Sequence, residues 1–224
     1  MTRKLLVFVV VIMVSGVVAA RNFDTGYEPV GLTELKKRKG GFSTVLAHPE
    51  ADFSRYTKIH PEPVAIVISD PAAANQFSTG RLHTKRETES VIPLYTEVVE
   101  FKHVFGEVLA GRIANDLDLE LVDAPGPGTL VLRPVVTNVE ITTSSKNTAE
   151  DGHELPQLDE GTIVFDLMDG ESGTILARFA EKRRNRPPKD EKETVGLWPN
   201  LPYWAETVAA DFCQELQRIG EKTD

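Results

Sequence analysis

The groups in this chain that could do chemistry are few and scattered. It carries five histidines, one cysteine and 34 acids against 25 bases. His48, His60, His83, His103 and His153 never fall at H-E-x-x-H or i, i+4 spacing, the arrangements that aim two imidazoles at one metal from a helix. A thiolate zinc site needs several cysteines. Cys213 stands alone, which also forbids an intrachain disulfide, and its helical surroundings read it as a small buried apolar residue. There is no G-x-S-x-G elbow, and Ser69-Asp70 follows an apolar run with no histidine beside it. Gly126 and Gly128 resemble the start of a dinucleotide loop, but the third glycine is missing and a strand pattern follows where a helix is needed. The acids in DLMDGE (166–171) lack the alternating ligands and closing Glu of an EF-hand loop. His48, Glu50 and Asp52 lie close together in HPEAD and read as solvated loop side chains, and His103 as an exposed or satisfied helix residue. No catalytic, cofactor-binding or metal-binding residue is therefore assigned, and no cofactor or metal is expected. The alternative is a hydrolase or other enzyme whose residues meet only in the fold.

Charge narrows the partners. The net charge is −9, so phosphate backbones and anionic lipid repel the domain as a whole. EKRRNR (181–186) is basic, but Asp190, Glu191 and Glu193 offset it and no aromatic interleaves it for base stacking. It reads as a solvated loop, and no nucleic acid is expected. A second cluster, Lys36-Lys37-Arg38-Lys39, offers at most peripheral contact with a membrane or an acidic partner.

The elements that must position these groups follow from periodicity. VAIVI (64–68), bounded by Pro63 and Asp70, reads as a buried strand. Just before it, Asp52 can accept hydrogen bonds from backbone N–H groups two or three residues on. That places Tyr56 beside the strand with its hydroxyl in water. Val98, Phe101, Phe105, Val108, Leu109, Arg112 and Ile113 predict a helix over 94–114, locally weakened by Gly106 and Gly111. Residues 120–123 predict a short strand, and APGPG (124–128) a turn with at least one glycine at positive φ. TLVLRPVVTNVEITT (129–143) is a long strand whose Pro134 calls for an edge or a bulge. TIVFDLM (162–168) and TILARFAE (174–181) flank the hairpin residues DGESG. Trp204, Val208, Phe212, Leu216 and Ile219 predict a closing helix over 202–219. The order β-α-β-β-β-β-α implies an α+β domain: one mostly antiparallel or mixed sheet, covered on one face by two helices.

The N-terminus MTRKLLVFVVVIMVSGVVAARNF has two bases, ten unbroken apolar residues and Val18-x-Ala20 before Arg21. That is the three-part pattern of a signal peptide, and the apolar stretch is short for a spanning helix. Cleavage after Ala20 leaves 23 bases against 34 acids, a net charge of −11. The expected organisation is a signal peptide at 1–20, a flexible arm at 21–45, one α+β domain at 46–219 and a tail at 220–224. The expected location is periplasmic or secreted, with an N-terminally membrane-anchored form as the alternative.

Three stretches together resemble a bacterial family of predicted envelope lipoproteins defined only as a domain of unknown function (number 3313). They are ADFSRYTKIHPEPVAI (51–66), LVDAPGPGTLVLRPVVTNVEIT (121–142) and FDLMDGESGTILARFAEKRR (165–184). Asp52 and Tyr56 match the family's acidic-aromatic stretch, Pro125 to Gly128 its Pro-Gly-Pro-Gly turn, and Asp169, Ser172, Gly173, Leu176 and Ala177 its hairpin, with Ser in place of Thr. Tyr203-Trp204-Ala205 matches a further family habit. The chain departs from the family in having no lipid-attachment cysteine after Ala20. The resemblance implies an exported α+β domain and carries no established activity. It transfers no catalytic residue. The expected function, set against the enzyme alternative, is a non-catalytic envelope protein acting as a binding or assembly module with an envelope partner of unknown identity.

Overall fold

The computed structural model describes residues 30–36, 39–67, 94–148, 154–184 and 200–221, with the backbone alone described at 94–97, 139–148 and 154–159. Among these, eight strands form one mixed sheet and two helices pack with it. The strands are β1 (Thr33–Glu34), β2 (Thr44–Ala47), β3 (Lys58–Pro61), β4 (Ala65–Ile66), β5 (Glu120–Leu121), β6 (Thr129–Thr148), β7 (Glu154–Asp169) and β8 (Ile175–Arg184). The helices are α1 (Leu94–Asp116) and α2 (Leu201–Gly220). The order across the sheet is β1-β2-β8-β7-β6-β3-β5, with β4 also paired to β6. Pairings from β1 through β6 are antiparallel, whereas β3 and β4 run parallel to β6 and β5 runs parallel to β3.

The α+β class and the mixed sheet agree with the sequence reading, but the order of elements does not. The segment expected as an arm contributes β1 and β2. β2 is buried at all four positions and pairs antiparallel with β8, because Val45 enters the main core and Thr44 and Leu46 are sheltered on the strand's other face. The strand expected at 64–68 is the short β4, Ala65–Ile66, and the sheet holds a further strand, β3, at Lys58–Pro61, where the sequence suggested none. Glu62, Pro63 and Val64 lie between them, and Pro63 has no N–H to give to a ladder. The basic run expected as a solvated loop begins inside the sheet: Glu181, Lys182, Arg183 and Arg184 are the last residues of β8 and pair with β7. Ile68, Ser69, Asp70, residues 1–20, Lys37, Arg38, His83 and His153 lie outside the described residues, so the signal peptide and half of the lysine-rich cluster do too.

Pro134 sits mid-strand without a bulge beside it, in unbroken register opposite Phe165. Leu132 O accepts from Glu62 N (2.8 Å) and Val136 O from Val67 N (2.8 Å), so residues of this parity turn their polar groups toward β3 and β4. The missing N–H of Pro134 falls in the gap between those two strands, where the ladder has no partner to lose.

The helices follow their patterns closely. Phe101, Phe105, Leu109 and Ile113 of α1 are buried at i, i+4 intervals, and Trp204, Val208, Phe212, Leu216 and Ile219 of α2 form the matching stripe. Their rings interlock with the sheet: Phe165 meets Phe105 and Phe212, with centroids 6.3 and 4.7 Å apart, and Trp204 packs on Phe101 and Phe105. Arg112 ties the helices together, reaching Asp116 at 3.1 Å and Glu206 at 2.5 Å, and Gln217 donates to Asp116 O. Cys213 lies buried in this interface, as expected, and burial pushes its thiol up to about 12, far from a reactive thiolate.

Alternate strand residues face the other way. Val135, Val164 and Ala180 form a second small cluster with Ala65 and Val67. Beside them runs a row of charge. Arg178 is 1% exposed and clamps Asp166, 0% exposed, through two bonds of 2.6 and 2.8 Å, while Arg133, opposite Asp166 on β6, grips Glu62.

Gly111 on α1 is exposed, and a Cβ added there would meet nothing within 4 Å. Gly111→Ala should therefore raise stability by about 0.5–1 kcal/mol through backbone entropy alone. Urea unfolding of the two proteins side by side checks this, and an unchanged or lowered midpoint would contradict it.

Candidate functional site

The three stretches that carry the family resemblance are far apart in the chain and meet at one end of the sheet, around the carboxylate of Asp169. β7 ends at Asp169, and the following turn to β8 is closed by Asp169 itself: its carbonyl accepts from Gly173 N (2.8 Å) and its N–H donates to Thr174 O (2.9 Å). Oδ1 accepts from Ser172 N (2.7 Å), Ser172 Oγ (2.9 Å) and Glu171 N (3.2 Å). Oδ2 turns outward and accepts from the Tyr56 hydroxyl and from Arg55 Nη2, both at 2.7 Å. Arg55 also donates to the Tyr56 hydroxyl (2.8 Å), with its guanidinium over the Tyr56 ring.

Tyr56 is 5% exposed. Its hydroxyl is thus not in water, as the sequence suggested; a buried phenol needs a partner, and the hairpin carboxylate 113 residues away supplies it. Asp52 behaves as expected, accepting from Ser54 N (3.0 Å) and Ser54 Oγ (2.6 Å), and so sets the turn that aims Arg55 and Tyr56.

The Pro-Gly-Pro-Gly turn packs against both. Gly128 takes φ +69, the left-handed conformation expected of one glycine there, and its carbonyl accepts from Thr57 and Lys58 N–H groups. Gly170 N donates to Thr129 O, and a Cβ on Gly170 would lie 2.7 Å from that oxygen and 2.8 Å from Gly126 O. The turn and the hairpin therefore touch backbone to backbone.

This geometry fixes the protonation states. The Tyr56 bond, then the Ser172 N–H, hold Asp169 well below its ordinary 3.8, against the opposing effect of burial. Burial, then the bond to Asp169, pushes Tyr56 up to about 12. Across the neutral range the pair is a fixed carboxylate and a fixed phenol. Five donors surround Asp169, two of them shared, Arg55 Nη2 with the Tyr56 hydroxyl and Ser172 Oγ with Thr174 Oγ1, and neither the carboxyl nor the phenol is poised to exchange a proton near neutrality.

The other candidates do not assemble. His48 Nδ1 faces Glu50 N at 3.3 Å, His60 Nδ1 lies 2.9 Å from Val122 O, and exposed His103 pairs loosely with Glu107. Among the described residues no three His, Cys, Asp or Glu side chains group as metal ligands. No helix among them is long and apolar enough to cross a membrane. Asp169 itself is the residue that sequence reasoning undervalues. Its local setting gives it only a hairpin role, and its partnership with Tyr56 has one signal, the joint appearance of both in the resemblance.

The protein family of unknown function DUF3313 matches residues 24–212, a span that takes in all three stretches. The chain belongs to this family. None of the curated proteins matches it. Among solved structures it is similar to a PelC dodecamer from Paraburkholderia phytofirmans at 14% identity, covering 78% of this chain and 96% of that one, with a TM-score of 0.42. A second PelC dodecamer from the same organism has 15% identity, 73% and 88% coverage and a TM-score of 0.40. A PDZ domain protein from Parabacteroides distasonis ATCC 8503 has 12% identity, covers 78% of this chain and 34% of that one, and has a TM-score of 0.36. These likenesses are too distant to inform the site. In DUF3313 terms, the shared stretches are the walls of the Asp169 hub.

Two outcomes follow. Gly170→Ala should cost about 2–3 kcal/mol, because backbone oxygens on two sides must move; a melting temperature equal to wild type would contradict the close approach. Asp169→Asn should destabilise by about 2–3 kcal/mol at neutral pH. The folded value of Asp169 is depressed, so its contribution is present above pH ~4 and lost as pH falls through the folded value. Tyr56 is raised, so its contribution is present below pH 10 and lost toward pH 12. The gap between wild type and Asp169→Asn in urea midpoints should thus be flat from pH 5 to 9 and shrink below about pH 4. A constant gap down to pH 2 would contradict the assignment.

Proposed function

We propose that this DUF3313 chain is an exported, non-catalytic protein of the cell envelope that works as a binding or assembly module. The observation that carries the non-catalytic part is the closed hub. The residues that mark the family are used to lock three loops together, and their charge states are held far from any that a proton-transfer step would use. What remains for contact is surface. Among the described residues β6 and β7 outrun their neighbours: the last bond to β6 on its β4 side is from Val67 N to Val136 O, and β8 last pairs β7 at Glu160. Beyond those points residues 138–148 and 154–159 continue as a two-stranded ribbon, a shape suited to reaching a partner.

Export is supported by the N-terminal pattern of bases, apolar run and Val18-x-Ala20. The partner is an envelope protein. Lys36, Lys37, Arg38 and Lys39 add at most a peripheral membrane contact, and the sheet with its helices on one face is the scaffold that presents the ribbon.

Mass spectrometry of the protein recovered from its host's periplasmic fraction should find Arg21 as the N-terminus. An intact Met1 form confined to the membrane fraction would replace export by anchoring. A hydrolytic activity that survives Asp169→Asn at low temperature would place function in a different, catalytic class.

A further inference from the structure

We infer that the outer edge of the β6 ribbon pairs antiparallel with the same edge of a second copy of this chain, about a two-fold axis at Thr143. The inference rests on the assembly reading above and names its partner.

The backbone selects the edge. Thr143 lies opposite Pro156 on β7. Proline has no N–H, so this is a pair whose polar groups point away from one another, and Thr143 turns its own N–H and C=O outward. The register leads to the same place. Residues of the parity of Val136 point outward at the start of β6, and the irregularities between Thr137 and Glu140 and between Glu140 and Ile141 transfer that role to Ile141 and Thr143. Asn138, at φ 51, marks the start of the change. On the β7 side the same proline removes a donor from the outer edge and blunts it. Among the described residues β6 has no neighbour beyond Val136 on its outer side.

The sequence selects the occupant. The stretch VEITTSSKN (139–147) is rich in residues that favour strands and is centred on Thr143. Antiparallel pairing of two copies about that residue sets Thr143 against Thr143, Ile141 against Ser145, Thr142 against Ser144, and Glu140 against Lys146. The charge match occurs twice, once on each side of the axis, in pairs of the non-hydrogen-bonded kind where side chains come closest. Within one chain the residue opposite Glu140 is Glu160, a like charge whose carboxylate already binds Lys182 and Arg184. A lysine from a second copy supplies the opposite sign that this register lacks. The pairing is isologous, so it closes as a dimer and does not propagate.

The test uses the full chain, purified in mild detergent, with its mass measured by light scattering and sedimentation. Wild type should be a dimer. Glu140→Lys and Lys146→Glu should each weaken it by roughly tenfold or more, since each puts like charges opposite one another twice. The double variant E140K/K146E should restore the wild-type constant, because the axis pairs those two positions. Thr143→Cys should cross-link to itself under mild oxidation, as the expected Cα spacing of about 5.5 Å suits a disulfide, whereas Glu100→Cys on α1 should not. Buried Cys213 does not compete. A monomeric wild type, insensitivity to the single charge changes, or failure of the double variant to recover would each overturn the inference. A monomer that still holds an envelope partner would overturn it while leaving the assembly reading intact.

Discussion

One carboxylate holds together the end of this fold where the loop before β3, the turn before β6 and the turn from β7 to β8 meet. Asp169 accepts three bonds from its own turn and two from the loop before β3, while the next residue, Gly170, abuts the turn before β6. A buried anion without donors is expensive, so every group that satisfies Asp169 is forced into place by the cost of leaving it. The loop with Tyr56 and the turn with Gly128 have little regular structure of their own. Their positions are set by what they give to Asp169 and by the backbone bonds from Thr57 and Lys58 to Gly128 O. Start points of β3 and β6 and the join of β7 to β8 are thereby fixed relative to one another.

The Asp166–Arg178 pair does a different job on the opposite strand parity. It lies wholly buried among Val135, Val164 and Ala180, where an ion pair gains little net stability over apolar residues of the same size, yet removal of one partner costs about 3–5 kcal/mol. Its value is register. A one-residue slip of β7 against β8 would carry Asp166 to the face that holds Phe105, Phe165 and Phe212 and leave Arg178 unmatched. Arg133, bonded to Glu62, continues the row across β6 to the chain just beyond β3. The hub fixes where strands begin, and the charged row fixes how they align.

This division explains what was legible in the sequence. Both helices could be read from their stripes, because a 3.6-residue apolar period has one interpretation at that length. The parts of β6, β7 and β8 near the hub could be read because Pro and Gly punctuate the turns there, but the run of β6 on to Thr148 and the start of β7 at Glu154 could not. Nor could β1 and β2. Thr44–Ala47 is four residues long and buried only because β8 lies beside it, and nothing local distinguishes it from an arm. β3 could not be read either: Lys58–Pro61 is four residues long and ends in a proline, and it is a strand because β5 and β6 lie on either side of it, whereas the local signal VAIVI pointed only to β4. At the hub, Asp52, Gly128 and Asp169 each announced their local turns, since Asx and glycine chemistry acts over two or three residues. The bond from Tyr56 to Asp169 spans 113 residues, and no local rule carries it. Only the joint occurrence of the three stretches pointed there.

The same reasoning bears on how the DUF3313 stretches should be understood. A motif that combines an acid, an aromatic hydroxyl, a serine and several glycines invites a catalytic reading. In this chain most of those residues have a mechanical task that demands their type: a short acid to close a hairpin, a phenol long enough to reach it from a buried ring, a serine to fill Oδ1, Gly170 where a Cβ would strike two carbonyls, and Gly128 and Gly173 at positive φ. Once those demands are met, Asp169 Oδ1 holds three donors and Oδ2 two. Residues that must recur for a fold to close need not touch a ligand. Among the described residues, none of the bonds that close the hub comes from the ribbon beyond Val136 and Glu160. A partner contact is therefore better sought there than among the residues that close the hub.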